Sequence, residues 1–489
     1  MKRDEMLREA NKYIEENRDK VKDGYYRLKY HIMPPIGWLN DPNGFVQFKG
    51  EYHLFYQFHP FSAESGLKYW GHYKSKDLID WEELPVALAP TKCYESHGCY
   101  SGSAVDNDGE FTLLYTGNVK NDGVRSAYQI LASSEDGIEF KKEDDPVIKE
   151  QPEGYTAHFR DPKVWKEGDY WYMVIGAQTI EEEGRVLLYR SKDLKSWEYI
   201  NIIGGSNYNG FGYFGYMWEC PDLFSLKGKD VLIFLPQGLE AKGDLYNNIY
   251  QAGYVIGNLD YNSGEYSYGE FIELDRGFDF YATQTTLDDK GRRLLIGWMG
   301  LPEEDHKYIE REEGWIHSMT IPRVLDLKNN KLIQKPIEEL KELRKNHISY
   351  NDIILNNEEM NFVEVEGDVV ELLVHFEEWN ASSFGLKVRR SEDAKEETLI
   401  EYDSVGEKLI LSRERSGRGG KGIRRVLLED INKLKLQIFI DRSSIEIFVN
   451  EGVEVFSARI YPDKESKGIS FFAKSGKVKL KKVEKWDLD

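Results

Sequence analysis

Cysteine is scarce: Cys93, Cys99 and Cys220 are the only three in 489 residues, an odd number with no Cys-x-x-Cys pair. That excludes a disulfide framework or a thiolate zinc site and suits a reducing compartment. No stretch reaches the roughly 18 apolar residues of a membrane span, and mean hydropathy is −0.60, so no membrane-embedded segment is expected. The opening residues, MKRDEMLREANKYIEENRDK, are charged throughout and lack the apolar core of a secretory signal, so the expected location is cytoplasmic. Positive charge is also in deficit, 65 Lys and Arg against 86 Asp and Glu, for a net charge of −21. This argues against nucleic acid or an anionic membrane as partner. An anionic substrate would need a local basic pocket to overcome the overall field, and the sequence does not show where one lies.

Aromatic residues are plentiful, with 31 Tyr, 23 Phe and 11 Trp, a supply that suits strands as well as flat ligands. The length exceeds the roughly 250–300 residues at which one core stops growing, so more than one domain is expected. One pattern, a strand, a tight glycine turn and a second strand, returns five times. Its turn glycines are Gly50, Gly109, Gly168, Gly228 and Gly291, at intervals of 59, 59, 60 and 63 residues. A second signature keeps the same beat in SKDLIDW, SSEDGIEF and SKDLKSW, with Asp77, Asp136 and Asp193 in register. These aspartates read as structural, because Ser and Asp close side-chain-to-backbone turns while the following Trp or Phe anchors the next strand.

Each unit has room for four short strands, and five such units read as a five-bladed β-propeller. Apolar positions Met6, Leu7, Ala10 and Ile14 at helical spacing predict a short docked helix before it. Beyond IEELKELRKN the chain alternates polar and apolar residues in short runs, as an antiparallel β-sandwich would. The chain is therefore all-β: an N-terminal helical extension (1–24), a five-bladed β-propeller (25–335), a helical linker (336–349) and a C-terminal β-sandwich (350–489).

Asp-Pro-Asn-Gly at 41–44 reads first as a turn. The repeat gives Asp41 a second meaning. Asp41, Asp161 and Glu219 lie nine, seven and nine residues before their turn glycines, near the start of the first strand of their blades; Ser101 and Thr283 hold the corresponding places in the other two. First strands line the channel of a propeller, so three carboxyls converge at one mouth, where like charge raises pKa values and costs stability. Glycoside hydrolysis uses such a set: one carboxylic acid to protonate the leaving oxygen, and one carboxylate to attack the anomeric carbon or activate water. Glu219 is the expected acid and Asp41 the expected nucleophile, with Arg160 keeping Asp161 ionised. Trp38, Tyr213, Tyr216 and Trp218 are candidate apolar walls, Cys220 a small wall residue, and Glu303 to His306 a solvated loop.

WLNDPNG (38–44), FRDP (159–162) and WECPDLF (218–224) resemble, in order and spacing, the three signature boxes of glycoside hydrolase family 32. YSGSA (100–104), DFYATQT (279–285), GWIHSMTIPR (314–323) and FIDRSSIEIFVNEG (439–452) are similar to that family too. The resemblance implies a propeller followed by a sandwich. It also implies retaining release of terminal β-D-fructofuranosyl units from sucrose or sucrose-6-phosphate through a covalent fructosyl-enzyme intermediate. By motif position Asp41 is the nucleophile, Glu219 the general acid and then base, and Asp161 the transition-state stabiliser. Trp38, Leu39, Asn40, Gln57, Tyr100, Ser101 and Arg160 are placed along the fructose pocket. The partner implied is a small sugar, with no metal or other cofactor. One departure is visible: in AESGLKYW, Ser65 stands where many members carry a Trp, which changes the subsite beyond fructose. Within the family the chain resembles most the bacterial branch acting on sucrose-6-phosphate. An exo-acting fructan hydrolase, a fructosyltransferase, an inverting arabinan- or xylan-cleaving propeller and a non-catalytic sugar-binding propeller are the alternatives.

Overall fold

The computed structural model describes residues 3–489. Five antiparallel sheets follow the sequence beat. Their innermost strands are Gly37–Phe48, Cys99–Asn107, Tyr155–Glu167, Met217–Leu226 and Tyr281–Leu287. Each is followed by a hairpin partner whose apolar run, such as Lys229–Gln237 (KDVLIFLPQ), is buried almost end to end because neighbouring blades cover both faces. All five turn glycines have positive φ, between 58° and 93°, and no atom lies within 4 Å of where a Cβ would stand. Conformation, rather than crowding, selects glycine there.

The second signature closes turns as expected. Ser75, Ser134 and Ser191 accept backbone N–H groups on Oγ, and Asp77, Asp136 and Asp193 accept the next two through Oδ1. These aspartates therefore belong to the scaffold.

The ring is laced at one level by side chains that reach the next blade. Asn43 Oδ1 accepts from Gly102 N at 3.0 Å, Ser103 Oγ from Val164 N at 3.0 Å, Asp161 Oδ2 from Cys220 N at 3.0 Å and Asp222 Oδ2 from Thr285 N at 2.8 Å. A two-residue strand inserted in blade five, Trp315–Ile316, pairs in parallel with Gly37 and Trp38 and closes the circle.

The N-terminal helix, Arg3–Val21, buries Ala10 and Ile14, while Asn11 Oδ1 accepts from Val86 N at 2.9 Å on the outermost strand of blade one. The linker is shorter than its charge pattern suggests: only Glu338–Leu343 forms a 3-10 helix, and Arg344 already begins a strand. Two six-stranded sheets then face each other. Alternate residues Val370, Leu372, Val374 and Phe376 of one meet Phe384, Leu386 and Val388 of the other in a second core.

Propeller and sandwich meet across a buried, hydrogen-bonded seam. Arg276 N and Phe278 N donate to Val455 O and Ser457 O, and between them a Cβ on Gly277 would stand 2.0 Å from Ser457 O, so only glycine lets the backbones approach. Arg323, fully buried, donates to Asp275, Gln334, Glu446 and Ser457 at 2.6–3.1 Å. Glu446 also contacts His31, whose other ring nitrogen lies 2.8 Å from Asp441.

Candidate active site

Asp-Pro-Asn-Gly does not turn the chain. It lies inside one continuous strand, Gly37–Phe48, which bulges twice, between Leu39 and Pro42 and between Asn43 and Val46. The first bulge recurs in every blade. The innermost strand advances three residues while its partner retreats two, from Leu39 to Pro42, Cys99 to Gly102, Arg160 to Lys163, Glu219 to Asp222 and Tyr281 to Gln284. A bulge leaves residues unpaired and re-aims their side chains, here into the channel mouth. Asp161, Cys220 and Ala282 take φ of +66°, +44° and +44° at it, a conformation non-glycine residues adopt at a cost when the surroundings enforce it.

This register corrects the simple repeat alignment, which puts the three carboxyls at one equivalent place. Glu219 is the residue just before its bulge, in the position of Arg160 and Tyr281; Asp161 is the first bulged residue, with Asn40 and Tyr100; Asp41 is the second, with Ser101 and Thr283. Three successive steps in three blades bring the acids to one cavity of about 530 Å³.

Asp41 Oδ2 accepts from Ser101 Oγ at 2.5 Å and Gln57 Nε2 at 3.2 Å, and Oδ1 from Asn40 Nδ2 at 2.8 Å. Burial, with Asp161 close by, pushes its carboxyl up to about 7, against the Ser101 hydrogen bond, which lowers it. Burial likewise pushes Asp161 up to about 6, although Arg160 pulls it down. Arg160 thus favours the ionised Asp161 as expected, but its closest partner is another acid. Its Nε is 3.9 Å from Asp161, whereas its Nη2 and Nε donate to Glu219 Oε1 at 2.6 and 3.1 Å. Glu219 Oε2 accepts from Gln237 Nε2 at 2.7 Å and Tyr281 OH at 2.8 Å.

Trp38, Asn40, Gln57, Tyr100 and Arg160 line the cavity, as does Tyr216. Ser101 is buried behind Asp41 and bonds to it and to Gln57. Leu39 belongs to the hydrophobic core rather than the pocket wall. Trp218 is also core, stacked on Phe234 at 3.8 Å, and Tyr213 is 58% exposed; neither is a wall of the site. Trp70 is fully buried in its strand. The Cys220 thiol lies 3.7 Å from Asp161 and 3.9 Å from Asp41, and burial holds its pKa well above the usual thiol range, so it stays protonated beside the carboxyls.

The Glu303 to His306 loop is not simply solvated. Glu303 and Asp305 reach the cavity, and Asp305 accepts from Trp38 Nε1 at 3.0 Å and meets His317 Nε2 at 3.0 Å. Lys68 lies 3.4 Å over the Trp38 ring and donates to Ser65 Oγ at 2.8 Å, filling the side where Ser65 leaves room; burial lowers its pKa to about 7. Arg125, His158, Gln237, Tyr250 and Tyr281 also line the cavity. Of these only Tyr281 carried a signal in sequence, the DFYATQT stretch on an innermost strand. No group of three or more His, Cys, Asp or Glu suited to a metal occurs among the described residues.

Residues 31–336 match the family model for the glycosyl hydrolases family 32 N-terminal domain, and residues 339–487 the model for its C-terminal region. A sucrose-6-phosphate hydrolase of Bacillus subtilis is 45% identical over 472 residues, 94% of each chain. Among solved structures, sucrose-6-phosphate hydrolase from Lactobacillus gasseri superposes with a TM-score of 0.89 at 32% identity, covering 98% of this chain and 96% of that one. A Bombyx mori GH32 β-fructofuranosidase gives 0.87 at 38% identity over 99% and 98%, and a mutant of it has been solved in complex with sucrose.

Proposed function

Since this chain belongs to glycoside hydrolase family 32 and is a β-fructofuranosidase, a hydrolase of the sucrose and fructan class, we propose that it cleaves sucrose-6-phosphate in preference to sucrose, by a retaining double displacement. The observation that carries the mechanism is the staggered convergence of Asp41, Asp161 and Glu219 on one cavity, with two acids held by different partners.

Asp41 attacks the anomeric carbon of the fructosyl unit as a carboxylate, and its three hydrogen-bond donors favour that ionised form. Glu219 gives its proton to the leaving oxygen; with Oε1 engaged by Arg160, the proton sits on Oε2, where the Tyr281 hydroxyl and the Gln237 amide can turn to accept it. Asp161 accepts hydrogen bonds from ring hydroxyls as positive charge develops. Glu219, now ionised, then takes a proton from water, which attacks the fructosyl ester of Asp41 and restores both groups. Relatives named for sucrose-6-phosphate, similar over nearly the whole chain, support that substrate.

Two measurements test this reading. In one buffer, kcat/KM should rank sucrose-6-phosphate above sucrose and sucrose above inulin; a preference for inulin would replace the substrate while leaving the chemistry. The pH profile on sucrose should lose activity as pH falls through about 7, because protonating Asp41 removes the nucleophile. Ser101→Ala removes a hydrogen bond that lowers the Asp41 pKa, so its acid limb should move up by up to about one pH unit. An unmoved limb would show that another group sets it.

A further inference from the structure

A protein of net charge −21 whose cavity already holds five carboxyls, Asp41, Asp161, Glu219, Glu303 and Asp305, must place any bound anion with care. Two sides of the cavity carry cations. On one, Lys68 faces Asp41 and Asp305, both of which act on its charge, and its ammonium is engaged by Ser65 and the Trp38 ring. On the other, a hydrogen-bonded line leads away from the proposed acid. Glu219 holds Arg160, Arg160 Nη1 donates to His158 Nδ1 at 2.9 Å, and Arg125 Nη1 donates to the same nitrogen at 3.2 Å.

The line has a free end. With Nδ1 accepting from two guanidinium groups, His158 is neutral and carries its proton on Nε2, which has no partner among the described residues. Burial and the adjoining arginines lower its pKa to about 4, in keeping with that state. Arg125 lines the cavity and forms no ion pair with any acid among the described residues. Directly opposite it in the hairpin is Lys120, also without an ion pair among them. Opposed residues of an antiparallel pair share a face, so two like charges meet there, an arrangement that destabilises the strands unless an anion lies between or above them.

We propose that Arg125, with His158 Nε2–H and Lys120, forms a subsite for the phosphate monoester of the leaving sugar. The inference rests on the reading above, because the sugar that receives the proton of Glu219 must leave on the Glu219 side, and this line of donors starts there. Arg125 offers the forked donors that suit phosphate oxygens, and Arg160, committed to Glu219, spaces the subsite from the reacting bond.

The test is the ratio of kcat/KM on sucrose-6-phosphate to that on sucrose, in wild type and in Arg125→Gln, Arg125→Lys and Lys68→Met, with glucose 6-phosphate as a competitive inhibitor. Arg125→Gln should lower the ratio roughly 10- to 100-fold, mainly through KM on the phosphorylated substrate, while kcat/KM on sucrose falls less than about 3-fold. Arg125→Lys should recover part of the ratio, and inhibition by glucose 6-phosphate should weaken in step with it. A wild-type ratio at or below one overturns the substrate reading, and the subsite with it. A wild-type ratio above one that survives Arg125→Gln, that falls only because both substrates decline together, or that collapses in Lys68→Met instead, overturns the subsite alone.

Discussion

Asp41→Asn is expected to lower kcat on sucrose by at least about 10³-fold with the fold intact. The amide is the same size, and its oxygen can still accept from Ser101 and Gln57, so the bulge keeps its shape. What disappears is the proposed nucleophile. Stability should be higher, and more so at higher pH. The Asp41 carboxyl is raised from its ordinary value of 3.8 to about 7, so the folded state holds its proton more tightly than the unfolded chain does. Stability therefore falls as pH rises between those values, and a group that cannot ionise escapes the loss, a gain of about 1–3 kcal/mol at pH 8. Steady-state kinetics and thermal unfolding at pH 5 and pH 8 check both parts. Near-normal turnover would remove Asp41 from the chemistry; loss of turnover with a lowered melting point would make it a structural residue.

The second large effect is on stability and concerns the propeller–sandwich seam. Arg323→Met should destabilise the protein by about 3–5 kcal/mol, because it leaves Asp275 buried at the propeller–sandwich seam without its cation and Glu446 with His31 alone. The seam should also respond to pH in both directions. Glu446, buried but held ionised by Arg323 and His31, has a pKa below its ordinary 4.5, so its contribution is complete above that value and lost as pH falls through the lowered one. His31, buried yet paired with Asp441 and Glu446, has a pKa above its ordinary 6.5; its contribution is complete below that value and lost as pH rises through the raised one. These two groups together contribute most between about pH 4.5 and 6.5, while Asp275, which burial holds above its ordinary 3.8, contributes less as pH rises above that value. Arg323→Met followed by chemical denaturation across pH checks this. A loss under about 1 kcal/mol, or a variant with the wild-type pH dependence, would mean that the neighbouring backbone bonds hold the seam unaided.

The blade count and the sandwich are legible in the sequence because both rest on local chemistry: a glycine with positive φ every 59 to 63 residues, Ser/Asp turns on the same beat, and alternation within strands. The site is legible in part. Asp41, Asp161 and Glu219 stand out because acids are expensive on a channel-lining strand. Their offsets from the turn glycine, nine, seven and nine, conceal their order, since a bulge is defined by the partner strand and leaves no local signal. That is also why Leu39, adjacent in sequence to two cavity residues, points into the core. Lys68, Arg125, Asp305 and Tyr250 lie outside the innermost strands, and only the closure of the ring brings them to the cavity. The solvated-loop reading of residues 303–306 fails for the same reason: composition describes a loop, while its neighbours decide whether it has a use.

The recurring bulge gives each position around the funnel an address with two parts. The blade sets the direction from which a side chain enters, and the step within the bulge sets its height along the axis, since each residue advances a strand by about 3.3 Å. Asp41, Asp161 and Glu219 occupy one direction and one height apiece, so no two compete for the same space despite their shared charge. Thr283 has the height of Asp41 in a blade whose bulge contributes no acid, and Tyr281 the height of Glu219. New chemistry can therefore be written at one address at a time, on a backbone that already holds the others in place.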